Sequence, residues 1–343
     1  MTYETWPPRP QPLGASRRDV VGFGEALVLL QPEAGAKLAD AATLDVHAAG
    51  AELNGCAAVA SLGGTATLVT RLGDDPLAEH ITRAADRLGV TLDAERDPAR
   101  PTGVYFKDVR PDGARRAYYY RSSSAASVMG PADADRGLSL EPRAVVVSGL
   151  TAALGAGPAE MVRRVASTAA SRGAALVVDV NLRPQLGRHD EVNDVLTELL
   201  PLTDLIIVGT DESARLLGTD DPQKVAAAAL AAGCREIVVK DGADGCWWVD
   251  DAGTAHHEPS AATTVVDPVG AGDAFTGGYV AGRLAGAGPQ AAARLASQLA
   301  ARIIATTGDT TGLPAPDEGR EMLVSAQSRP STWLNAGPRS RYR

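Results

Sequence analysis

Short runs of β-branched and leucine residues recur along most of this chain, and almost every run is followed by an alanine-rich stretch long enough for a helix. The runs are "DVVGFGEALVLL" from residue 19, "ATLVTRLG" from 66, "AVVVSGL" from 144, "ALVVDVNLR" from 175, "DLIIVG" from 204 and "EIVVKDG" from 236. Their near-continuous apolarity marks strands covered on both faces, and successive parallel strands need a helical crossover. Helical windows fall where such crossovers belong, near 53–63, 76–89, 157–172, 190–200, 222–233, 273–286 and 289–306. The alternation predicts an α/β fold, a doubly wound and mostly parallel sheet flanked by helices.

The rhythm breaks at residues 101–121, "PTGVYFKDVRPDGARRAYYYR", which read as two strands joined by the turn Arg110-Pro111-Asp112-Gly113. With no helix between them, these strands are expected to leave the main sheet. Together with parts of 27–50 they would form a small β-sheet over its C-terminal edge, where ligands of such folds bind, and act as a lid. The edges of such a lid call for cover, so a homodimer or higher homo-oligomer through the lid is expected.

The remaining sequence bounds the partners. Residues 1–18 are proline-rich and residues 315–343 lose the apolar period, so both are expected to be tails, the first disordered and the second flexible, around a single domain at 19–314. No run is long or apolar enough for a membrane span, and the first segment lacks the pattern of a signal peptide. Cys56, Cys234 and Cys246 form no metal or disulfide pattern, which suits the cytoplasm. The net charge of −9, from 42 acidic and 33 basic residues without long runs, offers no footprint for nucleic acid or membrane.

The stretch "VVDPVGAGDAFTGG", from residue 265, puts small residues and the carboxylate of Asp273 where an apolar strand is expected to turn into a helix. Glycines 270 and 272 let backbone amides converge, and the helix start adds unsatisfied amides and a positive dipole end. A carboxylate in an anion-binding corner repels its ligand unless it takes a proton from a hydroxyl attacking that anion, which makes Asp273 a candidate general base. Its alternative role is a helix cap. There is no Walker A loop, no Cys/His zinc cluster and no G-x-S-x-G elbow, and "GFGEAL" at 22–27 fails as a dinucleotide fingerprint because Leu27 stands where a small residue is required.

This stretch and "GAELNGCAAVASLGG", residues 50–64, together resemble the two signatures of the ribokinase, or PfkB-type, carbohydrate kinase family. The resemblance runs over roughly 19–314 and implies a ribokinase-like fold, ATP as phosphoryl donor and Mg2+. It implies that the backbone of Gly270, Ala271, Gly272 and Asp273 forms the anion hole, with Asp273 activating the acceptor hydroxyl. "KDGADG" matches the family's nucleotide loop, bringing in Lys240, Gly242 and Gly245. In "GTDES", Glu212 matches a motif tied to the magnesium-water network, although Gly209 replaces its usual Asn, so only an indirect metal role is expected.

Three further patches, "YYYRSSSAAS" from Tyr118, "DVNLRP" from Asp179 and "GDTTGLP" from Gly308, resemble the subgroup acting on 2-keto-3-deoxygluconate. In that pattern Gly50, Asn54, Tyr105, Tyr119, Arg121, Arg183, Asp273 and Asp309 surround the sugar acid, while Asn181 and Arg183 approach the nucleotide. Two arginines converging from a lid and a strand end suit a carboxylate, which guanidinium pairs bidentately. The resemblance therefore implies ATP-dependent phosphorylation of 2-dehydro-3-deoxygluconate on its terminal hydroxyl. A kinase for fructose or another neutral sugar, and a non-catalytic sugar-acid sensor on the same scaffold, are the alternatives.

Overall fold

The computed structural model of the chain describes residues 12–14, 18–33, 36–109, 115–250 and 252–327. Nine strands build the main sheet: β1 (Val20–Phe23), β4 (Ala66–Gly73), β5 (Val90–Asp97), β8 (Ala144–Ser148), β9 (Ala175–Asp179), β10 (Leu205–Gly209), β11 (Glu236–Lys240), β12 (Cys246–Val249) and β13 (Ala255–Glu258). Four more, β2 (Leu27–Gln31), β3 (Asp45–Ala49), β6 (Val104–Val109) and β7 (Arg115–Tyr120), build a second, small sheet. In the first half the helices are α1 (Ala51–Ser61), α2 (Pro76–Arg87), α3 (Pro131–Leu138), α4 (Gly149–Ala152) and α5 (Ala156–Ala169). The second half adds α6 (His189–Leu199), α7 (Thr210–Leu217), α8 (Pro222–Ala231), α9 (Ala271–Leu284), α10 (Pro289–Ile304) and α11 (Pro316–Gln327).

The main sheet runs β13-β12-β11-β10-β9-β8-β1-β4-β5 and is parallel from β11 to β5. Successive side chains leave a strand on opposite faces, so each central strand feeds two cores. Val20, Leu68, Val177, Ile207 and Val238 pack under α1, α9 and α10 on one face. Val21, Val69, Val145, Val178, Ile206 and Val239 pack under α3, α5, α6 and α8 on the other. The antiparallel pair β12–β13 escapes a search for βα repeats, because its alternating "CWWV" and "AHHE" are joined by a turn instead of a helix.

The small sheet has the order β3-β2-β6-β7, with β2 and β6 parallel and both outer pairs antiparallel. It is the sheet expected from 27–50 and 101–121, while the turn expected at Arg110-Pro111-Asp112-Gly113 lies outside the described residues. Period 2 along β6 turns Tyr105 and Lys107 inward, both buried, towards the C-terminal ends of the main strands.

Both tail expectations need correction. Pro316–Gln327 is a helix seated on the core, with Leu323 buried. Gly319 lies so close to α1 that a Cβ there would come within 1.8 Å of the Ser61 carbonyl. The apolar spacing of Met322, Leu323 and Ala326 carried this signal. At the other end, Leu13 packs against the core and the Gly14 N–H donates to Asp19 Oδ2 at 2.7 Å. Residues 1–11, 15–17 and 328–343 lie outside the described residues.

Candidate active site

Asp273 stands in the first turn of α9, behind Gly270, whose φ of +84° favours glycine. A Cβ on Gly270 would also lie 2.6 Å from the Asp309 carbonyl, so close approach of the loop after α10 demands glycine there as well. The helical ladder opens with the Ala274 N–H donating to the Gly270 carbonyl at 2.9 Å, and Ala271 N–H makes a long bond of 3.4 Å to the Pro268 carbonyl. The amides of Gly272 and Asp273 then have no acceptor within the helix and are presented at its positive end.

The Asp273 carboxylate is held from two elements. Asn54 in α1 donates from Nδ2 to Oδ2 at 2.9 Å, and Asn181, after β9, donates from Nδ2 to Oδ1 at 3.4 Å. Asn181 reaches the carboxylate from a backbone φ of +35° that is costly for a side chain with a Cβ. Burial lifts the Asp273 pKa from 3.8 to about 6, against the lowering pull of Arg183 and the Asn54 hydrogen bond. Such a carboxyl is ionised yet basic near neutrality, as a general base requires.

Around it stand three ionic groups, two of them fully buried and one partly. Lys240 Nζ, at the end of β11, donates to Asp179 Oδ1 at 3.0 Å, while Thr276 Oγ1 donates to Asp179 Oδ2 at 2.7 Å. Burial disfavours the ammonium, but Asp179 and Glu212 outweigh it and raise its pKa. Gly272 faces this ammonium with only 3.6 Å between a built Cβ and Nζ. In the second group Lys107 bridges Asp267 and Asp309. In the third, Arg121 Nε donates to Glu25 Oε2 and Ser124 Oγ to Glu25 Oε1, each at 2.5 Å.

The two arginines expected at the lid and the strand end differ in their surroundings. Arg121 is 4% exposed and committed to Glu25, leaving Nη2 without a partner among the described residues. Arg183, by contrast, is exposed and acts on Asp273 electrostatically. Tyr119 stacks on Tyr105 at 5.5 Å beneath the Arg121 guanidinium, and Tyr105 OH donates to Asp309 Oδ2 at 3.2 Å. Gly50 caps α1 at φ +144°, against the Glu25 carbonyl.

The expected nucleotide and metal residues have visible structural duties. Gly242 makes a turn at φ +55°, and a Cβ on Gly245 would come within 2.3 Å of the Glu258 carbonyl in the neighbouring hairpin. Glu212 Oε2 accepts from the Gly209 N–H at 2.7 Å and Oε1 from the Leu182 N–H at 2.8 Å, so it fastens α7 to the Asn181 loop. No group of three or more His, Cys, Asp or Glu among the described residues is arranged to hold a metal ion. The neighbouring carboxylates Asp179 and Glu212 offer oxygen ligands, the kind a hard cation takes.

Sequence reasoning passed over Glu25, Glu52, Lys107, Asp179 and Asp267. Glu52, the one charge on α1, is raised to about 7 by burial. Its Oε1 accepts from Ser148 Oγ at 2.5 Å and Thr151 Oγ1 at 2.7 Å, and it lines a cavity of about 20 Å³ with Asp179, Asn181 and Asp273. The signal available for each was the same: a charged residue at a strand end or inside an apolar run.

Comparison with known proteins bears on this arrangement. Residues 17–316 match the model of the pfkB family carbohydrate kinases. The chain is similar to the 2-dehydro-3-deoxygluconokinase of Thermoproteus tenax, 32% identical over 312 residues that cover 89% of this chain and 94% of that one. A solved PfkB protein from Polaromonas sp. JS666 is 30% identical with a TM-score of 0.77, covering 88% of this chain and 98% of that one. A putative ribokinase II structure from E. coli with ATP and Mg2+ shares the fold at a TM-score of 0.81 and 22% identity, over 90% of this chain and 99% of that one.

Proposed function

The chain belongs to the pfkB family of carbohydrate kinases, and on that premise we propose that it transfers the γ-phosphoryl group of ATP to the terminal hydroxyl of 2-dehydro-3-deoxygluconate. The observation that carries this reading is the buried carboxylate of Asp273, clamped by two amides at the mouth of α9. In the proposed reaction the acceptor oxygen attacks the γ-phosphorus while its proton passes to Asp273. The bond to the bridging oxygen breaks, and ADP leaves with the electron pair. The amides of Gly272 and Asp273 receive the charge on the equatorial oxygens, and Lys240 adds a cation behind them. Mg2+ arriving with the nucleotide would supply charge neutralisation when bound, and Glu212 is the residue that would act on its water shell.

For the substrate, support comes from the Thermoproteus tenax relative and from two guanidinium groups at the lid and strand end, the exposed Arg183 and the unpartnered Nη2 of Arg121. The engagement of Arg121 by Glu25 favours a second reading, a neutral-sugar kinase, because it leaves less free positive charge for a carboxylate. We further propose a homodimer through the lid, and, on three buried unpaired cysteines, a reducing cytoplasm.

The test is ADP release by the wild type on sugar acids, fructose and ribose, repeated on Arg183→Ala. Arg121 is unsuited to it, since removing one partner of a buried pair costs about 3–5 kcal/mol of stability. We expect the sugar acid to be preferred, and Arg183→Ala to lose about tenfold or more on it alone. An unchanged KM for ATP separates the acceptor role from a nucleotide role. Preference of the wild type for fructose or ribose would replace the sugar-acid reading with the neutral-sugar one.

A further inference from the structure

Strand β6 of the lid carries a lysine outside every role assigned so far. Lys107 is 4% exposed, and its Nζ donates to Asp267 Oδ2 at 3.0 Å and to Asp309 Oδ1 at 3.3 Å, both carboxylates being buried as well. The two acceptors bracket the anion corner. Asp267 turns the loop that leads into α9, its Oδ1 accepting from the Val269 N–H at 3.1 Å. The backbone of Asp309 lies against Gly270. Tyr105, two residues earlier on the same face of β6, holds the other oxygen of Asp309.

Two carboxylates here would repel both an incoming polyphosphate and an acidic acceptor. One ammonium shared between them cancels much of that field. Resting on the kinase reading above, we propose that Lys107 is a positioning residue for phosphoryl transfer, latching the lid to the Asp267–Asp273 loop and shielding Asp309, so that the anion corner is receptive only when the lid is seated.

The shielding has a specific consequence for Asp273. The charged and titratable groups around that carboxyl are Glu52 on α1, Asp179 and Arg183 on β9 and beyond it, Lys240 on β11, Tyr105 on β6 and Asp309 after α10. Asp309 already pushes Asp273 towards its protonated form. Loss of Lys107 uncovers Asp309 and pushes it further.

The experiment is the pH profile of kcat/KM by ADP release, for the full chain with ATP and the acceptor that the wild type prefers, in Lys107→Met and Lys107→Arg. Lys107→Met should lose about 30-fold or more, typical of a broken buried charge pair. Its acid limb should move to higher pH by about half a unit. Lys107→Arg, which restores the charge, should recover most of the rate and the limb. If Lys107→Met does not fold, Asp267→Asn keeps the Oδ1 acceptor, removes the second carboxylate and should move the limb to lower pH. A limb unmoved in the folded variant, or a Lys107→Arg enzyme as poor as the Lys107→Met enzyme, would reduce Lys107 to a packing residue and overturn the proposal. Preference for a neutral sugar would overturn the substrate reading alone, since the latch is measured on whichever acceptor is preferred.

Discussion

Burial raises the Asp273 carboxyl from 3.8 to about 6, and that single shift links catalysis to stability. Between those values the folded chain keeps a proton that the unfolded chain has released, so this group's contribution to stability falls as pH rises through that window and stays lost above it. Asp273→Asn removes the charge while keeping the shape. Asn54 can then turn its amide to present Oδ1, which has no partner among the described residues, to the new Nδ2. At neutral pH we expect Asp273→Asn to gain about 1–3 kcal/mol of stability and to lose about 10²- to 10⁴-fold in kcat. Ligand binding should remain measurable. Thermal denaturation at neutral and acid pH checks this: the gain should shrink towards pH 4 and grow towards neutrality. A variant with full turnover would free Asp273 of its proposed role, and one whose stability gain ignores pH would contradict the raised carboxyl.

The Asp273–Asn54 contact depends in turn on how two helices cross. α1 and α9 meet at Gly55 and Gly277, where a Cβ on Gly277 would come within 2.2 Å of the Gly55 carbonyl and 2.7 Å of Ala58 Cβ. Neither contact can yield by rotating a flexible side chain. Gly277→Ala must therefore separate the helices, and overpacking of this kind costs about 1–3 kcal/mol. Because Gly277 lies one turn after Asp273 and Gly55 follows Asn54, the same displacement should stretch the 2.9 Å amide contact and lower kcat. Denaturant unfolding together with kcat checks both effects; a wild-type midpoint with wild-type turnover would mean that the crossing relaxes freely. The glycine spacing in "GDAFTGG" was legible as small residues near a helix start, but its partner "GAELNG" lies 219 residues away in the Asn54–Asp273 pair, and the direction of approach between them is decided by the sheet on which both helices pack.

At the scale of the whole molecule the small sheet ends in β3 and β7, edges that pair with no further strand among the described residues and carry Val46 at 45% exposure and Tyr120 at 69%. Open edges with apolar residues invite another strand or copy. We expect light scattering to give the mass of two chains, and Val46→Lys to shift it towards one; a single-chain mass for the wild type would remove the lid dimer. What the sequence alone determined was whatever is local or periodic: the α/β alternation, the two paired strands within 101–121 and the glycine-opened helix start at Gly270–Asp273. The pairing of Arg121 with Glu25 could not be read there, because Glu25, 96 residues earlier, leaves no local trace of it. Lys107 likewise meets Asp267 and Asp309 only across 160 and 202 residues. Backbone conformation follows from neighbouring residues and the period of apolar burial, whereas the partner of a buried charge is set by which strand ends and loops the fold brings together. The cost of leaving such a charge unpaired is what makes the tertiary structure, and only it, decide the ionic wiring of the site.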